Sequence, residues 1–174
     1  PDKSEAETIE IRAEEFKNAM KFAMISDFDA LNIQDKNLID GYEKFKNIDF
    51  SKFDYIFLPN LIDQHPDHKA VSILLAQAIN DGKNFKKDVQ ILFYEVWSSL
   101  PFVNVAVDIE AVADKKREMI NCYMSQTATK DYNYHILGLN QYRGIFKDKN
   151  LIVIMLESVN DIIIMYNYNL FVNI

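Results

Sequence analysis

The sequence has a single cysteine, Cys122, so no disulfide framework and no cysteine-based zinc cluster can be built within the chain. That usage fits a reducing compartment, the cytoplasm. Cys122 falls inside a helical pattern and reads as a small buried apolar residue. Glycine and proline are scarce, at four each, which excludes a loop-rich or disordered chain and favours regular elements with short connections. A long uninterrupted apolar run is also lacking. The stretch LIVIMLESVNDIIIMYNYNLFVNI (151–174) is broken by Glu157, Asn160 and Asp161, well short of the ~20 apolar residues of a membrane span. Positive charge is in the minority: the net charge is −7, which argues against nucleic acid as a partner, because phosphate binding relies on clustered Lys and Arg. The short basic run Lys83–Lys87 reads as a solvated loop. The opening PDKSEAETIEIRAEE is polar and acidic, not a secretory signal, and a first Pro without Met suggests a processed, trimmed or truncated start.

What is present is apolar and aromatic. The 174 residues suit one domain, residues 1–174, and an apolar fraction of 49% with 12 Phe and 9 Tyr is enough for a core. Residues 4–25 read as an amphipathic helix opened by a Ser4/Glu7 capping box, with Ile9, Ala13, Phe16, Ala19, Met20 and Ala23 on its inner stripe. A short helix is expected near LIDGYEKFKN (38–47). FDYIFLPN (53–60) reads as a buried strand ended by Pro-Asn. PDHKAVSILLAQAIN (66–80) reads as a helix, with Pro66 and Asp67 suited to its first turn and Gly82 ending it. DVQILFYEVW (88–97) and FVNVAVDI (102–109) read as further strands, and 110–126 as a helix. The tail, 151–174, has the composition of two strands. The order strand, helix, strand predicts an α/β fold: a Rossmann-like three-layer sandwich with a mostly parallel sheet.

Histidine is scarce too, yet two of the three sit at one turn, in LPNLIDQHPDHKA (58–70). In open α/β sheets ligands bind outside the carboxyl ends of the strands, and His65, Asp67 and His68 fall there. A neutral imidazole nitrogen ligates zinc well. A second histidine held by a carboxylate can act as acid or oxyanion stabiliser. Asp67 is placed to be that carboxylate, or an outer partner of a ligand. A bare His-x-x-His is equally the pattern of a surface turn with ordinary histidines. Two histidines also fall short of a zinc site, which takes three protein ligands and an open position. Asp63, Asp27, Asp29 and His135 are further candidates by composition, and spacing selects none of them.

LPNLIDQHPDHKAV resembles the His-Pro-Asp-His motif of the PIG-L/LmbE-like zinc-dependent N-deacetylases. Other segments resemble that family in the same order. SEAETIEIRAEEFKNAMK looks like its Arg-x-Glu-Glu helix, and LNIQDKNL like its Leu-x-x-x-Asp-x-x-Leu element. LFYEVWSSLPFVNVAVDIEAVADKKREMINCYMSQ is similar to its Tyr-Glu strand, Val-Asp-Ile segment, Lys-rich helix and Ser-Gln. GLNQYRG resembles its Arg-Gly element. Together these span roughly residues 4 to 144; the ordered set is specific, each piece alone is weak.

The resemblance implies removal of an acetyl group from an N-acetylglucosamine-containing sugar or glycolipid precursor, with Zn2+ as cofactor. It implies that His68 ligates zinc, that His65 stabilises the oxyanion and protonates the leaving amine, and that Asp67 orients His65. Arg12 and Asp35 would line the substrate side. An exposed ion pair with a nearby Glu is the alternative for Arg12. Trp97 reads first as a core or loop-packing residue; the alternative is that it and the SSLPF loop offer a surface on which a sugar ring can stack.

One departure is large. The family's Ala-His-Pro-Asp-Asp-Glu segment, which brings a second histidine ligand, an aspartate ligand and the general base, has no counterpart here. The expectation is a chain that lacks the first strand and loop, deacetylates weakly or not at all alone, and presents a sheet edge that invites association into an oligomer. Two alternatives remain: an inactive or fragmentary relative that binds a sugar or partner, and an unrelated α/β binding domain with incidental histidines.

Overall fold

Helix α1 (Glu5–Phe22) starts where the sequence places its cap. The Glu7 amide donates to Ser4 Oγ at 3.3 Å, and the Ser4 amide donates back to Glu7 Oε2 at 2.8 Å. Two orphan amides of the first turn are thereby satisfied. The computed structural model describes residues 4–157. After α1 follow α2 (Tyr42–Phe45), β1 (Tyr55–Pro59), α3 (Pro66–Asn80), β2 (Gln90–Tyr94), β3 (Val105–Asp108), α4 (Ala113–Asn121), α5 (Met124–Thr127), α6 (Tyr132–Gly144) and β4 (Ile152–Glu157). The expected α/β class is observed. The helix read at 66–80 has those bounds, and the chain leaves it through Gly82 at φ +72°, a conformation glycine adopts without strain. The tail beyond β4 lies outside the described residues.

The strands lie in the order β1-β2-β4-β3. β1 and β2 pair in parallel from Tyr55↔Gln90 to Pro59↔Tyr94 through the α3 crossover, the unit expected from the sequence. β4 is antiparallel to β2, so the sheet is mixed. The chain forms two compact units, one from residues up to Ala30 with Val107–Val153, the other from Leu31–Ala106 with the residues from Ile154.

The second unit holds the larger apolar cluster. Leu58 of β1, Leu74, Leu75 and Ala78 of α3, and Ile91 and Phe93 of β2 are buried together with Phe45 and Phe50. β1 is buried only toward its carboxyl end. Tyr55 and Phe57 are 55% and 56% exposed, where the sequence reading put a fully buried strand. Tyr55 and Phe57 share one face of β1, and α3 packs on the other, where Ile56 and Leu58 lie. β1 is an edge among the described residues, which explains its tolerance of Pro59. The run Lys83–Lys87 is largely exposed, as expected, with Lys86 paired to Asp54 at 2.6 Å and Phe85 stacked on Phe50.

The first unit packs Ile109, Ala113, Leu137 and Leu151 together. Its α1 buries only part of the stripe read from the sequence: Ala19 is buried and Phe16, Met20 and Ala23 are half-buried, while Ile9 and Ala13 are exposed and Glu15, off the stripe, is buried. Glu15 accepts from the Ser125 amide (2.6 Å) and hydroxyl (2.7 Å), so a charged residue faces inward because α5 gives it donors. Cys122 is half-buried, its thiol 3.5 Å from the Glu118 carbonyl.

Tyr42 hydrogen-bonds to Asp81 and so joins α2 to the end of α3. Burial, and then the bond to Asp81, push its phenol from 10.0 up to about 12. A folded-state value raised above the unfolded one gives stability that is complete below pH 10 and is lost as the pH rises toward 12. Urea unfolding of the protein and of Tyr42→Phe is therefore expected to show a constant difference below pH 10 that shrinks above it. A difference that holds steady up to pH 11 contradicts this.

Candidate active site

The turn after β1 is built around one carboxylate. The Asp63 side chain is fully buried. Its Oδ1 accepts from the His65 amide at 2.9 Å and from His68 Nδ1 at 3.0 Å, and its Oδ2 accepts from the Trp97 amide at 2.8 Å. Burial works against the charge, but these donors outweigh it and hold the carboxyl below its usual range. Burial pushes the Tyr94 phenol up, and the negative charge of Asp63 adds to that. Asn60, also buried, extends the frame: its Nδ2 donates to the Ser98 carbonyl at 2.7 Å and its Oδ1 accepts from the Ile62 amide at 3.1 Å. The loop after β1 and the loop after β2 are thus tied together at the carboxyl ends of the two parallel strands.

The two histidines are held differently. A carboxylate only accepts, so His68 Nδ1 carries a proton toward Asp63, and in the neutral ring Nε2 keeps its lone pair. His65 is the N-cap of α3, and its Nδ1 accepts from the Asp67 amide at 3.3 Å. A backbone amide only donates, so the neutral His65 ring carries its proton on Nε2. The rings lie 4.7 Å apart between centroids. One neutral ring offers a lone pair and the other offers a proton. Asp35 Oδ1 lies 4.0 Å from His65 Nε2, at the limit of an ion pair and too long for a hydrogen bond.

The Asp67 carboxylate does not hold His65, contrary to the sequence reading. It accepts from the amides of Lys36 (2.8 Å) and Leu38 (3.1 Å), and only its backbone N–H reaches His65. The reason is capping geometry: the second residue of a helix offers its amide to the N-cap side chain, which turns its own side chain away. Asp67 therefore anchors the segment that carries Asp35. The carboxylate that does orient a histidine is Asp63, which the sequence reading offered only as a possible further metal ligand. Its signal was Asp-x-His just before the helix, where an aspartate commonly accepts the amide two residues on.

His65, His68, Asp67 and Asp35 share one unit. Arg12, exposed on α1, belongs to the other, as do Asp27, Asp29 and the exposed His135 of α6. Trp97 is 53% exposed, so a core role for it is overturned. A cavity of about 290 Å3 beside β1 and α3 has Phe45, Phe50, Phe57, Leu58 and Leu75 in its walls; the phenol of Tyr55 is the one titratable group in its lining, which has no carboxylate, imidazole or thiol, and it is not a candidate site.

No family model and no curated sequence matches the chain. Solved structures do. It is similar to the N,N'-diacetylchitobiose deacetylase from Pyrococcus horikoshii complexed with its inhibitor MPG, with a TM-score of 0.70 and 16% identity over 90% of this chain and 65% of that one. It thus spans less than two thirds of that deacetylase. It is similar to the conserved protein TT1542 from Thermus thermophilus, with a TM-score of 0.65 and 18% identity over 86% of this chain and 74% of that one. It is also similar to GalB, the 4-carboxy-2-hydroxymuconate hydratase from Pseudomonas putida, with a TM-score of 0.62 and 16% identity over 91% of this chain and 75% of that one. At such identities the similarity is one of architecture, and a deacetylase and a hydratase on one fold show that architecture alone does not choose the reaction. The chain has a deacetylase-like α/β fold.

Proposed function

We propose that this chain is the body of a PIG-L/LmbE-like N-deacetylase that acts on an N-acetylated sugar or glycolipid. The observation that carries the reading is the pair of oppositely held imidazoles at the carboxyl end of the parallel strands. Amide hydrolysis needs a donor for the developing oxyanion and a proton for the leaving amine. His65 Nε2–H supplies the donor and Asp35 beside it suits sugar hydroxyls. His68 Nε2, held open by Asp63, is the nitrogen that would take a zinc ion. Zinc, when bound, would act as a Lewis acid on the amide carbonyl.

The fit to zinc is incomplete. Among the described residues no three His, Cys, Asp or Glu side chains form a group able to hold a metal, whereas a zinc site takes three protein ligands. Further ligands would have to come from outside the described residues, and the chain alone is expected to bind zinc weakly and to release little acetate. That same shortfall favours a second reading, a relative that binds a sugar or a partner without turnover.

Calorimetric titration of zinc into the chain, with His68→Ala beside it, separates these. The expected affinity is weaker than about 1 µM, against the ~10–16 kcal/mol of complete structural zinc sites. Tight one-to-one binding that His68→Ala abolishes would show a full ligand set in this chain. Zinc-dependent acetate release from an N-acetylglucosamine conjugate at a rapid rate would overturn the expectation of weak turnover.

A further inference from the structure

The geometry points to Trp97 as the platform on which the sugar ring stacks, a specificity-determining residue of the proposed site. This rests on the N-acetylated-sugar reading above and adds which face of the substrate is read, and by what. Large aromatic side chains are mostly covered in folded proteins, yet Trp97 is 53% exposed. Its exposure does not come from a loosely held backbone. The Trp97 amide donates to buried Asp63 at 2.8 Å, the carbonyl of Ser98 accepts from buried Asn60 at 2.7 Å, and the amide of Leu100, itself buried, donates to Glu95 at 2.7 Å.

The anchor is the same carboxylate that orients His68. Two hydrogen bonds and the width of one carboxylate separate the Trp97 amide from His68 Nδ1, no more than about 8 Å. The Trp97 backbone is therefore held at a fixed place within that distance of His68, on the loop that carries the exposed indole. Ile62, in the histidine loop, and Phe102, in the Trp97 loop, are 51% and 78% exposed. Exposed apolar residues on the two loops that carry the polar reactive groups suit a ligand face. A pyranose ring matches it: its C–H face is apolar and suits an indole, and its hydroxyl edge suits Asp35. An aliphatic chain would use the apolar wall but leave that carboxylate without a partner.

Trp97 is the only tryptophan in the sequence, so its emission reports on this residue alone. The test is titration of the full chain with N,N'-diacetylchitobiose, followed by Trp97 fluorescence and by calorimetry, with Trp97→Ala and Trp97→Phe compared after far-UV circular dichroism shows both folded. Saturable binding is expected to shift or quench the emission. Trp97→Ala is expected to weaken binding about tenfold, and Trp97→Phe to restore most of it. Binding with unmoved emission and full affinity in Trp97→Ala overturns the platform and leaves the deacetylase reading standing. No binding by calorimetry takes down the sugar reading and the platform with it. Emission that responds to protein concentration instead of sugar assigns this face to a second copy of the chain and overturns the proposal.

Discussion

Asp63→Ala is expected to destabilise the protein by about 3–5 kcal/mol, a large share of the 5–15 kcal/mol that holds a domain folded. The side chain is fully buried and accepts from three donors, the amides of His65 and Trp97 and the imidazole of His68. Truncation leaves those donors facing a void, and an unsatisfied buried donor costs far more than an average hydrogen bond contributes. Urea unfolding measures the loss. Asp63→Asn gives a second reading, because its amide group keeps an acceptor on one side and sets a donor against a donor on the other. It is expected to fall between the parent and the alanine variant. In Asp63→Ala His68 loses the partner that keeps its proton on Nδ1, and nitrogen chemical shifts of the labelled ring would show mixed tautomers. A single retained Nδ1–H tautomer in Asp63→Ala, or a stability change under about 1 kcal/mol, would sink this account.

Asp67→Ala is expected to act at a different place from the one its position in the His-Pro-Asp-His motif suggests. Two charge-assisted bonds to the amides of Lys36 and Leu38 are lost, at a cost of about 2 kcal/mol. Hydrogen exchange at those two amides should accelerate as the segment carrying Asp35 is released. The His65 tautomer should not change, because the Asp67 backbone amide still donates to Nδ1. Unchanged protection at Lys36 and Leu38, with a disturbed His65 ring, would return Asp67 to the role its carboxylate was first given.

The sequence by itself determined the elements whose cause is local. The Ser4/Glu7 cap, Pro66 in the first turn of α3 and Gly82 after it are short-range signals, and the helices begin and end accordingly. The parallel β1–α3–β2 unit was legible because apolar runs bounded a helix of known length. The two histidines were legible as a pair, because they are scarce and fall after a strand.

Tertiary structure decided everything that depends on which donor meets which acceptor across long separations. Glu15 faces inward because Ser125, far along the chain, supplies its hydrogen bonds, and no helical periodicity contains that information. β1 is half exposed because α3 covers only the face that carries Ile56 and Leu58, a property of the packing and not of the residues FDYIFLPN. Asp63 rather than Asp67 orients an imidazole, because the N-cap of α3 turns one carboxylate toward Lys36 and the loop after β2 brings the Trp97 amide to the other. The identity of a hydrogen-bonding pair is set by distance in space, whereas the strength of a cap or the end of a helix is set within one turn of the chain.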